Sequence, residues 1–126
     1  MRQIIESKGA PKPIGPYSQA VMQGNTLYVS GQIAIDPATG NLLETTISKE
    51  TERVMKNLGA ILDEVDMDFS NVVKATIFLA SMDDFHEVNE VYGSFFDADT
   101  APARETVEVS RLPKNVRVEI SCIAIR

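Results

Sequence analysis

Tryptophan is absent from the chain, and cysteine and histidine occur once each, as Cys122 and His86. A single cysteine excludes an internal disulfide and fits a reducing compartment. A single histidine with no clustered cysteines gives neither a zinc ligand set nor a nucleophile–histidine pair. Glycine-rich phosphate loops of the G-x-G-x-x-G and P-loop kinds are also missing, so hydride, acyl and phosphoryl transfer by familiar machinery have no support. Basic residues are outnumbered, 12 Lys and Arg against 18 Asp and Glu, for a net charge of −6. That balance argues against a nucleic-acid surface, which needs clustered Lys and Arg. No stretch approaches the roughly 20 apolar residues of a membrane span. The opening MRQIIESKGAPKPIG has no apolar run of secretory length, and a cytoplasmic protein is expected. No repeat, low-complexity tract or linker divides the 126 residues, so residues 1–126 are expected to form one domain with a modest core.

Strand and helix periodicities are clear. Residues 17–35 suggest a hairpin, with Gly24-Asn25 as its tight turn. Residues 48–65 form the clearest helix, since Ile47, Thr51, Val54, Met55, Leu58, Ile61, Leu62 and Val65 recur at three- and four-residue steps. Thr46 or Ser48 can cap it. Residues 72–80, VVKATIFLA, suit a central strand buried on both faces. A second helix follows Ser81, with Phe85, Val88, Tyr92, Phe95 and Phe96 on or near its apolar face and Asn89 beside them. Two more strands close the chain around the loop Leu112-Pro113-Lys114-Asn115. The order β-β-β-α-β-α-β-β implies an α+β fold, a mixed sheet with both helices on one face. The other face would be bare, so self-association through it is expected.

The last two strands carry the candidate chemistry. Val107 and Val109 alternate with Thr106, Glu108 and Ser110. Val116, Val118, Ile120, Cys122 and Ala124 alternate with Arg117, Glu119 and Ser121. If the two strands pair as a hairpin, Arg104, Thr106 and Glu119 share one polar surface. Arg captures a carboxylate with two hydrogen bonds, and Glu accepts a proton from water or holds that water in line. Such a pair suits hydrolysis of a small, reactive carboxylate. An Arg–Glu cross-strand pair that only tunes the sheet accounts for the same spacing. The proline-rich segment 9–16 is stiff and delivers Tyr17 to a fixed place, as a pocket residue or as a packing aromatic. Gly31 inside a strand marks a bulge or a close approach of backbone to a ligand. Asn89 is a satisfied structural amide or a ligand contact.

With these residues in place, the chain resembles the RidA/YjgF family of reactive enamine/imine deaminases. The resemblance rests on GPYSQA at 15–20, YVSGQI at 28–33, KNL at 56–58, the Asn89–Tyr92–Phe96 spacing, APAR at 101–104, VEVSRLPK at 107–114 and VEI at 118–120. It covers nearly the whole chain. It implies a chorismate-mutase-like α+β fold and a homotrimer with ligand sites in clefts between subunits. It also implies cofactor-free hydrolysis of 2-aminoacrylate, 2-iminopropanoate and 2-iminobutanoate to 2-keto acids and ammonia. By position, Arg104 would clamp the substrate carboxylate and Glu119 would position or activate the water. Tyr17, Ser30, Gly31 and Asn89 would line the pocket. Where many relatives have a small pair such as Ser-Cys after the Arg, this chain has Glu105-Thr106. Thr106 keeps a small hydroxyl for the pocket, and alternation points Glu105 away from Arg104. Cys122 is expected in the core. A non-catalytic trimer that binds keto acids is the alternative, and a ribonuclease or translation inhibitor is disfavoured by the acidic charge.

Overall fold

Alternating burial along the strands sets the layers, because each strand has one face that must leave water. The computed structural model describes residues 1–126, with the elements β1 (Arg2–Ile5), β2 (Ala20–Gln23), β3 (Thr26–Gln32), α1 (Ile47–Asp63), β4 (Val72–Leu79), α2 (Phe85–Gly93), β5 (Ala103–Glu108) and β6 (Val118–Ile125). The expected order of strands and helices is the order found. They form one six-stranded sheet with the spatial order β1-β2-β3-β6-β4-β5. β2 and β3 pair antiparallel across Gly24-Asn25, and Gly24 takes the positive φ (58°) that a two-residue hairpin asks of its first central residue.

The final hairpin is not formed. β4 stands between β5 and β6, parallel to the first and antiparallel to the second. The burial patterns explain the choice. β6 buries Val118, Ile120, Cys122 and Ala124, whereas no residue of β5 is fully buried. The apolar strand takes a central place and the polar strand an edge.

α1 lays its apolar stripe on the sheet. Val54, Met55, Leu58, Ile61 and Leu62 are buried with Leu27, Val29, Ile77, Ile120 and Ala124 in one cluster. Thr46 is the cap, its Oγ1 accepting from Lys49 N at 3.2 Å. Phe69, Phe95 and Phe96 form an aromatic cluster, with ring centroids 5.3–5.4 Å from Phe69, and Tyr92 stacks on Phe96 at 4.7 Å. This cluster seats the end of α2. At the other end of the sheet, Arg117 donates to both carboxylate oxygens of Glu50, at 2.6 and 3.2 Å, and to Thr45 O at 2.8 Å. The pair ties the start of β6 to the N-terminus of α1. β4 is central but covered on one face only, since its second face belongs to the bare side of the sheet. There Ile4, Tyr28 and Val107 are 51 %, 50 % and 42 % exposed.

The apolar stripe of α1 contains one polar exception. Asn57 is fully buried, and its amide donates to Ile33 O at 3.2 Å and Ile35 O at 3.0 Å. It holds the segment after β3 against the helix. Asn57→Ala leaves both carbonyls without a donor, and is expected to cost about 1–3 kcal/mol in urea denaturation. A midpoint equal to the wild type would show that water replaces the amide without loss.

Candidate active site

The segment before Tyr17 is held by one buried side chain. Gln19 accepts from Ser7 N at 2.6 Å and donates to Ser7 O at 3.1 Å and Pro11 O at 2.8 Å. Prolines at 11, 13 and 16 remove most of the remaining freedom. Tyr17 therefore stands exposed at the mouth of a cavity of about 290 Å³, lined also by Lys12, Ser30, Gly31, Pro113 and Glu119. The Ser30 hydroxyl donates to Ser18 O at 2.6 Å, so its hydrogen holds the strap and only its lone pairs face outward.

Gly31 explains how Glu119 reaches the cavity. Val29 pairs with Cys122 and Gln32 with Ile120, so Ser30 and Gly31 together oppose Ser121. That is a one-residue bulge. A methyl group at position 31 would lie 2.6 Å from Glu119 Oε2 and 2.7 Å from its Cδ. The carboxylate lies directly over the glycine: the expected bulge is present, and the group that approaches the backbone is the side chain of Glu119. Burial raises the Glu119 pKa above its usual carboxylate value, and no cation opposes the shift. Gly31→Ala must displace the carboxylate, and is expected to lower kcat at least tenfold at near-wild-type stability. Full activity in a correctly folded Gly31→Ala protein would separate the position of Glu119 from the chemistry.

A second cluster sits at the sheet edge. Arg104 Nη1 donates to Asn89 Oδ1 at 2.7 Å, and its guanidinium lies 5.0 Å from the Tyr92 ring centroid and 5.8 Å from that of Phe85. Rings and amide hold the fork in place, yet no carboxylate forms an ion pair with it. Its remaining N–H groups have no side-chain acceptor. Burial pushes the Tyr92 phenol up, and Arg104 partly opposes that shift. The hydroxyls of Tyr92 and Thr106 are both buried without a hydrogen-bond partner.

One expectation for this region is overturned. Arg104 pairs across the sheet with Ala75 and Thr106 with Ile77, both core residues, so these side chains face the helices. Glu119 pairs with Phe78 and points to the bare face. Strands β5 and β6 are two spacings apart, about 10 Å. Within one chain, Arg104 and Thr106 therefore do not share a surface with Glu119. Val107, expected on the core face, lies on the bare one. Asn89 is exposed, outside the apolar face of α2. Glu105 does point away from Arg104, towards Lys74 Nζ at 3.2 Å. Cys122 is buried in the core, its thiol pushed up to about 12 by burial, which leaves no thiolate for attack. No cluster of three or more His, Cys, Asp or Glu side chains is placed to hold a metal ion. Periodicity alone had left Phe85 and Tyr92 as packing residues and had not singled out Lys12, Gln19 or Asn57. The signals for the last two were a buried amide after a proline-rich run and an amide inside an apolar stripe.

A family model described as Endoribonuclease L-PSP matches residues 7–126. A conserved Rid-family protein of Yersinia pestis has a crystal structure that superposes with a TM-score of 0.96 at 45% identity, covering 100% of both chains. The chain belongs to the RidA/YjgF family. A second RidA/YjgF-type structure, a putative endoribonuclease from Thermotoga maritima, gives a TM-score of 0.96 at 52% identity, over 100% of this chain and 98% of that one. The human protein named 2-iminobutanoate/2-iminopropanoate deaminase is 44% identical, over 100% of this chain and 91% of its own. The mixed sheet with two helices is thus the RidA fold, and relatives of this similarity bear the name of an imine deaminase. No helix is long and apolar enough to cross a membrane.

Proposed function

We propose that the chain assembles as a homotrimer whose clefts hydrolyse 2-imino acids, and their enamine tautomers, to 2-keto acids and ammonia. One observation carries this reading. A guanidinium held for a carboxylate and a raised-pKa carboxylate held over a glycine lie on opposite faces of one chain, each without an ionic partner. A second copy docked on the bare apolar face brings the edge-strand Arg104 of one chain to the Glu119 cavity of the next. Arg104, held by Asn89, then binds the substrate carboxylate. Thr106 supplies a hydroxyl on the same side, and Tyr17 and the Ser30–Gly31 bulge line the other. Glu119 takes a proton from water as its oxygen bonds to the imine carbon. Starting from the protonated imine, Glu119 passes that proton to the nitrogen of the resulting carbinolamine and then takes up the hydroxyl proton as the C–N bond breaks, so that ammonia leaves, receives the proton from Glu119 as ammonium, and the 2-keto acid remains. No redox step occurs, and all atoms come from the imine and one water.

The name endoribonuclease, borne by the family model and the Thermotoga relative, makes RNA the second substrate class. Two features weigh against it: the net charge of −6, and the place of the only histidine, whose Nε2 lies 3.7 Å from Glu90 Oε1 on the exposed side of α2, outside the cavity lining. A coupled assay tests the main reading. A threonine or serine dehydratase releases the imine in semicarbazide, and the protein is expected to speed keto-acid release and lower the semicarbazone signal. An unchanged semicarbazone signal from an intact oligomer would move the function to keto-acid binding. The mass of a single chain at micromolar concentration would remove the composite cleft.

A further inference from the structure

The cavity that holds Glu119 has one cation on its wall, Lys12. The ion pairs of the chain involve Lys56, Lys74, His86 and Arg117, so Lys12 has no carboxylate partner. Its place is set by the backbone. Pro11 and Pro13 flank it, the residue before a proline is confined to extended conformations, and Gln19 holds Pro11 O at 2.8 Å. A lysine on a free loop samples many positions, whereas this one is presented at the cleft by a stiff, anchored strap. It does not neutralise Glu119: no cation pulls that pKa down. The two groups line one cavity and form no ion pair with each other.

This chain's half of the cleft has a volume of about 290 Å³, and the neighbouring subunit's Arg104 adds the α-carboxylate site to it. Ile14, Ile33, Ile35 and Pro113 give the cavity apolar walls, which suit methylene groups. An unpaired ammonium beyond an apolar wall suits a second carboxylate at the far end of the ligand.

We infer that Lys12 is a specificity-determining residue that directs the cleft towards imino acids with an acidic side chain, those derived from amino-dicarboxylic acids. This rests on the imine-hydrolase reading, with Arg104 holding the α-carboxylate. Lys12 binds the distal carboxylate and takes no part in the proton transfers.

The test uses the full chain with amino-acid oxidases that generate imines in place, from aspartate or glutamate on one side and alanine or leucine on the other. The measured quantity is the ratio of kcat/KM for acidic over neutral imines. Lys12→Ala is expected to lower that ratio roughly five- to tenfold, Lys12→Glu further, with an effect that shrinks as salt is raised. A ratio unchanged in both variants overturns the inference. If the wild type hydrolyses no imine of either kind, the reaction is wrong, and Lys12 is then judged by calorimetric binding of 2-oxoglutarate against 2-oxobutanoate. Loss of a 2-oxoglutarate preference in Lys12→Ala sustains its role, and equal affinities in wild type and variant remove it.

Discussion

Glu119→Gln lowers kcat by about 10²- to 10⁴-fold, the usual contribution of a positioned general base. Glutamine keeps the shape of the side chain over Gly31 but cannot take a proton from water. The loss falls on kcat because the group acts on the attacking water and makes no ground-state contact with the carboxylate. The pH profile gives the second signature. Burial raises the pKa of Glu119, and the base must be ionised, so wild-type activity rises with pH through that raised value. The acidic limb is absent from Glu119→Gln. Stability moves the other way. A carboxyl whose folded pKa is raised contributes stability below its unfolded pKa and loses it as the pH rises through the folded pKa. At neutral pH the uncharged glutamine is therefore at least as stable as glutamate, and a lower Tm in Glu119→Gln at pH 7 would contradict the burial account.

Arg104→Ala acts on binding. The substrate carboxylate is present in ground state and transition state alike, so removing its partner raises KM more than it lowers kcat. Loss of charge-assisted hydrogen bonds costs about 3 kcal/mol, or roughly 10²-fold in kcat/KM. Arg104→Lys restores only part of this, because an ammonium lacks the planar fork that Asn89, Tyr92 and Phe85 hold in register. Steady-state kinetics of both variants on one imine settles it. A fall in kcat with unchanged KM would place Arg104 in the chemistry instead of the carboxylate clamp.

Much of this architecture is legible in the residues. Element order, the cap at Thr46, the Gly24 turn and the core stripe of α1 follow from local periodicity, which acts over a few residues. Neighbours in the sheet do not. Alternation along 103–108 separates two faces without saying which meets the helices. Arg104 and Thr106 look like a solvent face because they are polar. They turn inward because α2 offers rings and an amide there. The hairpin expected between the last strands fails for a related reason, since strand order depends on competition between β5 and β6 for the central position beside β4. Gly31 was legible as a special position, but its reason, the carboxylate resting on it, comes from a strand nearly ninety residues away. Arg104 and Glu119 were expected on one surface, and the sheet places them on opposite faces. Within one chain they cannot meet, which is why the proposed reaction requires a second copy.

The most direct measurement mixes two disabled proteins. Arg104→Ala chains and Glu119→Gln chains are unfolded together, refolded in equal amounts, and assayed for imine hydrolysis beside each variant refolded alone. In a cleft shared by two subunits, a Glu119 half from the first chain can meet an Arg104 half from the second. At substrate concentrations well below the raised KM, random assembly then restores about a quarter of the wild-type activity per cleft, although each parent alone keeps about a hundredth or less. Activity no higher than that of the separate variants, in mixed oligomers verified by mass, would mean that the two residues do not work in one site.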